Sequence, residues 1–281
     1  MTGRAMRELF GAGRTLVMGV INMTPDSFSD GGHWFAPEDA LARGHRLVAD
    51  GADILDVGGE STRPGAMQVD AGTETDRILG TVSALAAEGH VVSVDTFHAA
   101  TAAAAVRAGA RIVNDVSGGT ADPGMHGVVA DLRVPYIIQH SRGGPATMGS
   151  LATYDDVVTD VIRELEARVQ GAVNAGIAED MIVLDPGLGF AKDGQQNWEV
   201  LAALDRFVAL GFPVLVGASR KRFLSAVLPP ALTDSPVERD HATAAVSALA
   251  AAAGAWAVRV HEARSSRDAV RVAASWKAAA R

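Results

Sequence analysis

The chain has 281 residues, 48% of them hydrophobic, and its 25 basic and 33 acidic residues give a formal net charge of −8. This balance argues against a nucleic-acid-binding protein, whose surface should be broadly basic, and the lack of cysteine excludes disulfides, thiolate catalysis and cysteine-ligated zinc. Since the sequence has no apolar run of about 18 residues and no signal-peptide core, we expect no membrane span and, by default, a cytoplasmic location.

Eight short apolar segments rich in valine and isoleucine predict buried parallel strands. In chain order they are Thr15–Asn22, Ala52–Gly58, Val91–Asp95, Ile112–Val116, Pro135–His140, Ile182–Asp185, Pro213–Gly217 and Ala257–His261. Between them, alanine, leucine and valine recur at helical spacing. The predicted helices are Pro37–Asp50, Thr75–Glu88, Ala99–Ala108, Met125–Asp131, Tyr154–Ala175, Trp198–Leu210, Asp240–Ala253 and Arg267–Ala280.

This alternation of strands and helices predicts an α/β protein, a single-domain (β/α)8 TIM barrel over residues 15–281 that follows a short N-terminal arm at residues 1–14. The rival fold is a doubly wound open sheet. That fold usually has fewer strands at this length, and no GxGxxG motif follows the first strand here. The barrel is therefore favoured, and in a barrel the carboxyl ends of all strands meet at one mouth.

Every predicted strand leads into polar or charged residues. One such end could simply reach solvent, but eight ends that meet at a single barrel mouth predict a functional site. The candidates at these ends are Asn22, Asp95, Asn114, Asp185, Ser219, Arg259 and His261, together with the segments DVGGESTRPGA and SRKR.

The basic run at residues 219–222 is predicted to begin the helix after the seventh strand. Because the helix dipole disfavours cations at that end, three cations in succession predict an anion nearby. A solvated basic turn is the alternative. Loops after the last two strands commonly bind phosphate in barrels, and Ser265 and Ser266 could cap the last helix beside such an anion.

Asp95, Asn114 and Asp185 form another candidate set, because buried carboxylates and amides need partners. A flat heterocycle with amino, ring N–H and carbonyl groups would pair them well. A carboxylate cluster that binds magnesium is the alternative. No HxH or HExxH motif accompanies the set, so the evidence for a transition metal at these residues is weak.

Seven segments occur in the order in which a known family has them: INMTPDSFSDGG, DVGGESTRPGA, VDT, NDVSGG, DPGLGF, SRKRF and RVH. In these the chain resembles the dihydropteroate synthases, most of all actinobacterial members. The resemblance implies a transferase that condenses 6-hydroxymethyl-7,8-dihydropterin pyrophosphate with 4-aminobenzoate, giving 7,8-dihydropteroate and pyrophosphate in folate biosynthesis. It also implies Mg²⁺ as cofactor, sulfonamides as competitors and a homodimer.

The resemblance assigns a role to individual residues. The residues implied for pterin pyrophosphate are Thr62, Asp95, Asn114, Asp185, Lys221, Arg259 and His261, the last two at the pyrophosphate, with Asn22 as magnesium ligand. Those implied for 4-aminobenzoate are Thr62, Arg63, Pro64, Phe190, Ser219 and Arg222. The implied catalytic group is Arg63, Asp95, Asp185 and Lys221. A first mobile loop would carry Asp26, Phe28 and Asp30, with Asp30 favoured to point inward, and a second would carry Thr62, Arg63 and Pro64.

One departure from the family's pattern is Gln139, where methionine is common, and it predicts a more polar wall around the pterin. Since a dihydropterin can delocalise positive charge on its departing methylene, we expect an SN1-like reaction through a pterin cation. Two alternatives remain. A methyltetrahydrofolate–corrinoid methyltransferase would share the barrel and the carboxylates but not the STRPGA and SRKR loops. A non-catalytic pterin-binding paralogue would be expected to have lost loop motifs that are complete here.

Overall fold

Eight parallel strands form the centre of the computed structural model, which describes residues 9–24, 37–61, 66, 68–144 and 146–280. The strands are β1 Leu16–Asn22, β2 Ile54–Gly58, β3 Val92–Asp95, β4 Ile112–Asp115, β5 Tyr136–Gln139, β6 Ile182–Asp185, β7 Leu215–Val216 and β8 Ala257–Val260. They pair in the order β6-β5-β4-β3-β2-β1-β8-β7. A parallel bridge between Leu184 and Val214 joins the two edges. The predicted barrel is thus confirmed.

Helices surround the barrel and bury its outer face. They are α1 Pro37–Ala49, α2 Ala71–Ala87, α3 Ala99–Arg107, α4 Met125–Leu132, α5 Val157–Asn174, α6 Gly194–Ala202, α7 Leu204–Val208, α8 Asp240–Ala253 and α9 Ala263–Ala279. The larger apolar core lies between these helices and the strands and includes Leu47, Leu85 and Phe207. Among the described helices, none combines the length and the apolar character that crossing a membrane requires.

Side-chain caps explain where the predicted helix boundaries were wrong. Asp193 forms a capping box that begins α6 at Gly194, whereas apolar spacing placed the start at Trp198. Asp70 and Glu262 likewise accept the first amides of α2 and α9, and each helix begins four residues earlier than predicted. Apolar periodicity locates the buried face of a helix, but the start depends on which side chain satisfies the first free N–H groups.

The barrel interior has an apolar layer beneath a polar one. The apolar layer consists of Leu16, Met18, Ile54, Ile112, Ile137, Val183, Leu215 and Ala257. Strand residues two positions apart face the same side. The next layer towards the mouth therefore contains Asp56, Asp95, Asn114, Gln139, Asp185 and Arg259. At the opposite end, the indole N–H of Trp256 donates to the carbonyl of Leu9 at 3.2 Å. The apolar layer thus supports the polar groups of the mouth.

Candidate active site

Arg259 of β8 lies at the centre of the polar layer and bridges two carboxylates. Its Nε donates to Oδ2 of Asp56 at 2.6 Å, and a terminal nitrogen donates to Oδ2 of Asp95 at 2.6 Å. Asn114 donates to the same oxygen of Asp56 at 3.1 Å. Asp56 is the first residue of the candidate segment DVGGESTRPGA, but the sequence analysis assigned it no role of its own, although a charged residue inside the apolar run ILDVG was a usable signal.

Burial controls the protonation of this cluster. Desolvation raises the pKa of Asp95 to about 7, although Arg259 opposes the shift. Desolvation also raises the pKa of Asp185, against the attraction of Lys221. The pKa of Lys221 is lowered to about 8 by its own burial, with Asp185 opposing. Burial disfavours the charged form of Arg259 too, yet Asp56 and Asp95 hold its pKa above the ordinary value. The mouth therefore keeps groups that titrate near neutrality.

Several buried polar atoms of this layer have no hydrogen-bond partner among the residues that the structure describes. They are Oδ1 of Asp56, Oδ1 of Asp95, Oδ1 of Asn114 and Nε2 of Gln139. Buried polar groups are nearly always paired, because an unpaired one costs about 1–3 kcal/mol. Three acceptors and one donor in one layer therefore indicate a ligand with several N–H groups and at least one acceptor. This pattern is the one expected for the predicted heterocycle.

Lys221 connects the loops after β6 and β7. Its ammonium donates to the carbonyl of Leu188 and lies 4.6 Å from the centroid of the Phe190 ring. A Cβ on Gly189 would lie 3.0 Å from the Lys221 side chain. Gly189 thus lets the lysine approach the mouth closely, beside the predicted aminobenzoate residue Phe190.

The loop after β7 differs from the predicted helix start. The segment Arg222–Val227 is a 3₁₀ turn, and the following α-helix, α8, begins at Asp240. Arg220 makes two hydrogen bonds of 2.7 Å to the Asp240 carboxylate, so part of the expected negative charge comes from the protein itself. The helix-dipole argument for this run was therefore wrong, and Arg222 is an exposed residue of the turn.

Ser219 and His261 contact each other at the ends of β7 and β8. The Ser219 hydroxyl lies 3.0 Å from Nδ1 of His261 and accepts the His261 backbone amide at 3.0 Å. The predicted caps Ser265 and Ser266 were wrong, because the Glu262 carboxylate accepts the first amides of α9. A carboxylate at this helix start competes with any anion, which disfavours a phosphate site made by the α9 amides.

A buried network behind the mouth holds the DPGLGF loop. The Lys192 ammonium donates to Nδ1 of His140 at 2.9 Å and to the carbonyls of Gly187 and Phe190 at 3.1 and 3.2 Å. Nε2 of His140 lies 3.0 Å from Glu164. Burial, followed by the neighbouring Lys192, lowers the pKa of His140 to about 3, so this imidazole is neutral. Sequence reasoning missed Lys192 because its partners lie on another strand and on backbone atoms.

Asp115 has a structural role and does not face the mouth of the barrel. It follows Asn114 and therefore faces outward, where it accepts from the Tyr136 hydroxyl at 2.7 Å and from the Gly119 amide at 2.7 Å. Ser117 donates to its other oxygen. Asp115 thus shapes the NDVSGG turn.

A cavity of about 320 Å³ opens beside the polar layer, between the loops that follow β3 to β6. Its lining includes Phe97, Val116, Met148 and Phe190. The predicted loop residues Asp26, Phe28, Asp30, Thr62, Arg63 and Pro64 lie outside the described residues. Asn22 is half-buried at the end of β1. The assigned roles of all these residues stay predictions.

Comparison with known proteins decides the family. The model of the pterin binding enzyme family matches residues 18–261. The dihydropteroate synthase of Mycobacterium leprae is 52% identical over 263 residues, 92% of this chain and 93% of that protein. The chain belongs to the dihydropteroate synthases. The predicted family and transferase activity are confirmed, and this level of identity favours the synthase over the methyltransferase alternative.

Solved dihydropteroate synthases share this fold. The Xanthomonas albilineans enzyme with 4-aminobenzoic acid superposes with a TM-score of 0.86 at 43% identity, covering 95% of this chain and 93% of that one. The Yersinia pestis enzyme in a sulfonamide drug complex gives 0.89 at 36% identity, covering 94% and 95%. The likeness therefore includes nearly the whole of each chain.

Proposed function

We propose that the polar layer of this synthase holds the pterin of 6-hydroxymethyl-7,8-dihydropterin pyrophosphate and that the reaction proceeds through a pterin cation. The observation that carries the proposal is the set of unpartnered buried atoms on Asp56, Asp95, Asn114 and Gln139. The amino and ring N–H groups of a pterin would donate to the three oxygens, and its carbonyl would accept from an amide or from Lys221. The family assignment supports the same substrate.

The buried carboxylates suit a cationic intermediate. In the proposed order, the C–O bond breaks first, its electron pair leaves with pyrophosphate, and the ring delocalises the positive charge of the methylene. The lone pair of the aminobenzoate nitrogen then forms the C–N bond, and that nitrogen loses a proton. Asp95 and Asp185 are buried, so their charges act on the cation with little screening. A closed mouth would keep water away from it.

Asn22 fits the role of a magnesium ligand. Its carboxamide oxygen is a hard donor, and Mg²⁺ in phosphate-handling sites commonly takes one or two protein oxygens besides substrate phosphates. When bound, the ion would neutralise charge on the leaving pyrophosphate. Arg259 and His261 would contact the same group. Arg259 keeps its charge through Asp56 and Asp95, which makes it a permanent cation at the mouth.

The second substrate, 4-aminobenzoate, would lie near Phe190 and Ser219. Support comes from the position of Phe190 against Lys221 and beside the open cavity. Arg63, Pro64 and Arg222 would complete this subsite. The sulfonamide complex of the Yersinia pestis enzyme supports sulfonamides as competitors of aminobenzoate here as well.

A homodimer is proposed from an exposed apolar face on α8 and α9. Leu249, Val272 and Trp276 are 71%, 62% and 80% exposed, whereas Trp256 belongs to the core beneath the barrel. These two helices pack on each other, and together they carry all three exposed side chains. In sedimentation, the chain should have twice its monomer mass, and Trp276→Lys should yield the monomer.

The decisive assay for the reaction is pyrophosphate release from pterin pyrophosphate. Release should require both 4-aminobenzoate and Mg²⁺ and should be inhibited by a sulfonamide in competition with aminobenzoate. A non-catalytic paralogue would bind the pterin without releasing pyrophosphate. Rapid-quench experiments should detect C–O cleavage whose rate constant does not vary among anilines of different nucleophilicity. A rate constant that depends strongly on the aniline would contradict the proposal that C–O cleavage precedes attack by the amine.

A further inference from the structure

A second charged cluster lies at the rim of the mouth and takes no part in the proposed reaction. We name it the rim cluster; it consists of Glu60, Glu74 and His98. Glu60 follows β2, Glu74 lies in the first turn of α2, and His98 precedes α3. One potential ligand atom from each residue can be chosen so that all three lie within 4.8 Å of one another. Barrel closure therefore brings two carboxylates and an imidazole around one point.

The contacts within the rim cluster orient its groups towards that point. Nδ1 of His98 lies 3.0 Å from Oε2 of Glu74 and 3.8 Å from Oε2 of Glu60. The hydroxyl of Thr96 donates to the same Glu74 oxygen at 2.6 Å and accepts the His98 backbone amide at 3.0 Å. Such supporting hydrogen bonds are typical around metal ligands, because they fix the direction of each donor atom.

Glu60 is a buried acceptor. Its side chain is 2% exposed, and among the described residues neither carboxylate oxygen has a hydrogen-bond partner of normal geometry. Burial, with Glu74 nearby, raises the pKa of Glu60 to about 7, although the backbone amide of Val69 lowers it slightly. A carboxylate in this position is stable only with a proton or a cation beside it.

Close packing between the end of β2 and α2 holds the residues of the rim cluster in fixed positions. A Cβ on Gly59 would lie 2.9 Å from the Glu74 carbonyl and 3.0 Å from its Cγ, so only glycine lets the end of β2 approach α2 this closely. The neighbouring cation Arg77 donates to the Gly59 carbonyl at 2.8 Å. Within the described part of the chain, no lysine or arginine forms an ion pair with Glu60 or Glu74.

We propose that the rim cluster binds one divalent transition-metal ion, such as Mn²⁺ or Zn²⁺, through Glu60, Glu74 and His98. A donor set of two carboxylate oxygens and one imidazole nitrogen suits such ions. The ion neutralises both buried carboxylates, and Nδ1 of His98 exchanges its hydrogen bond to Glu74 for a metal bond. It thereby joins the end of β2 to α2 and α3, directly before the segment that begins at Ser61.

The proposed ion differs from the magnesium that accompanies pyrophosphate. The rim cluster contributes all three donors from the protein, so binding needs no substrate.

The test is metal binding by the full-length chain after chelator treatment, without pterin or pyrophosphate. Another exposed cluster could bind Zn²⁺, because Glu88 lies 2.8 Å from His45 and 3.3 Å from His90. All binding measurements are therefore made with the H45Q/H90Q variant, which removes both of these histidines and serves as the parent for further substitutions. Mn²⁺ is followed by electron paramagnetic resonance and Zn²⁺ by calorimetry. One equivalent should bind, and E60Q and H98Q in this background should each weaken binding by about 10- to 100-fold.

Thermal unfolding gives an independent readout. Mn²⁺ should raise the Tm of H45Q/H90Q but not that of the E60Q or H98Q derivative, while circular dichroism confirms that each is folded. N22A should retain the ion. The proposal is overturned if millimolar Mn²⁺ and Zn²⁺ do not bind to H45Q/H90Q, if E60Q and H98Q bind with unchanged affinity, or if N22A alone removes binding.

Discussion

Nε of Arg259 lies 2.6 Å from Oδ2 of Asp56, although 203 positions separate the two residues in the chain. The pair lies in the polar layer, where a second nitrogen of the guanidinium reaches Asp95. Asp56 therefore does two things at once. It holds Arg259 in place, and its other oxygen faces the predicted pterin site without a partner.

Replacing Asp56 tests this double role. D56N should lower pterin affinity by about 10- to 100-fold and reduce the free energy of unfolding by on the order of 3 kcal/mol, because it removes one partner from a buried ion pair. Calorimetry with a pterin ligand and denaturant unfolding measure the two effects. D268N, which changes an exposed residue of α9, is the control. Unchanged pterin affinity in D56N would show that Asp56 only supports Arg259.

The activity should depend on pH through Asp95 and Lys221. The pKa of Asp95 is raised to about 7 and that of Lys221 is lowered to about 8, so kcat/KM should rise near pH 7 and fall again near pH 8. D95N should lose the acidic limb of the profile. E60Q should keep it, which separates Asp95 from the other carboxyl whose pKa is about 7. An acidic limb that survives in D95N would assign it to another group or to the substrate.

The same shift predicts the sign of a stability effect. Because the folded-state pKa of Asp95 is raised from 3.8 to about 7, its protonation contributes stability that is fully present below 3.8 and is lost as the pH rises through about 7. In D95N, the free energy of unfolding should therefore decline less over that interval. Urea unfolding at a series of pH values measures it, and parallel curves for the two proteins would contradict the assignment.

Lys192 should stabilise the DPGLGF loop. K192M keeps much of the side-chain volume but leaves Nδ1 of His140 and the carbonyls of Gly187 and Phe190 without their donor. We expect a loss of about 3 kcal/mol in the free energy of unfolding and a higher KM for 4-aminobenzoate, since each unpaired buried group costs about 1–3 kcal/mol. K277M, at an exposed lysine of α9, should change neither quantity. Equal stability of K192M and wild type would show that removal of the buried charge offsets the lost hydrogen bonds.

Gly187 should tolerate no side chain. Its φ is +70°, and an added Cβ would lie 1.8 Å from the His140 carbonyl oxygen. G187A should destabilise the fold by more than about 4 kcal/mol or prevent folding. G194A adds a methyl group in open space at the start of α6 and should be neutral or slightly stabilising. Thermal unfolding of both variants checks the pair; a stable G187A would mean that the β6 loop can move away from β5.

Sequence reasoning located the strand ends well because strand periodicity and barrel geometry are local and regular. It selected Asp95, Asn114, Asp185 and Arg259, which the structure brings into one layer. It included Asp56 only as part of the segment DVGGESTRPGA and missed its role, because that residue lies inside an apolar run rather than at its end. The basic run at residues 219–222 was placed at a helix start, where the chain instead forms a 3₁₀ turn.

The sequence by itself determined the order of strands and helices, the family and most of the polar residues at the mouth, because each leaves a pattern in neighbouring residues. Only the tertiary structure decided which polar groups share one space. Asp56 meets Arg259, and Glu60 meets Glu74 and His98, because closure of the sheet brings distant segments together. The tertiary structure also decided the protonation states, since burial of Asp95 and Lys221 moves both pKa values towards neutrality.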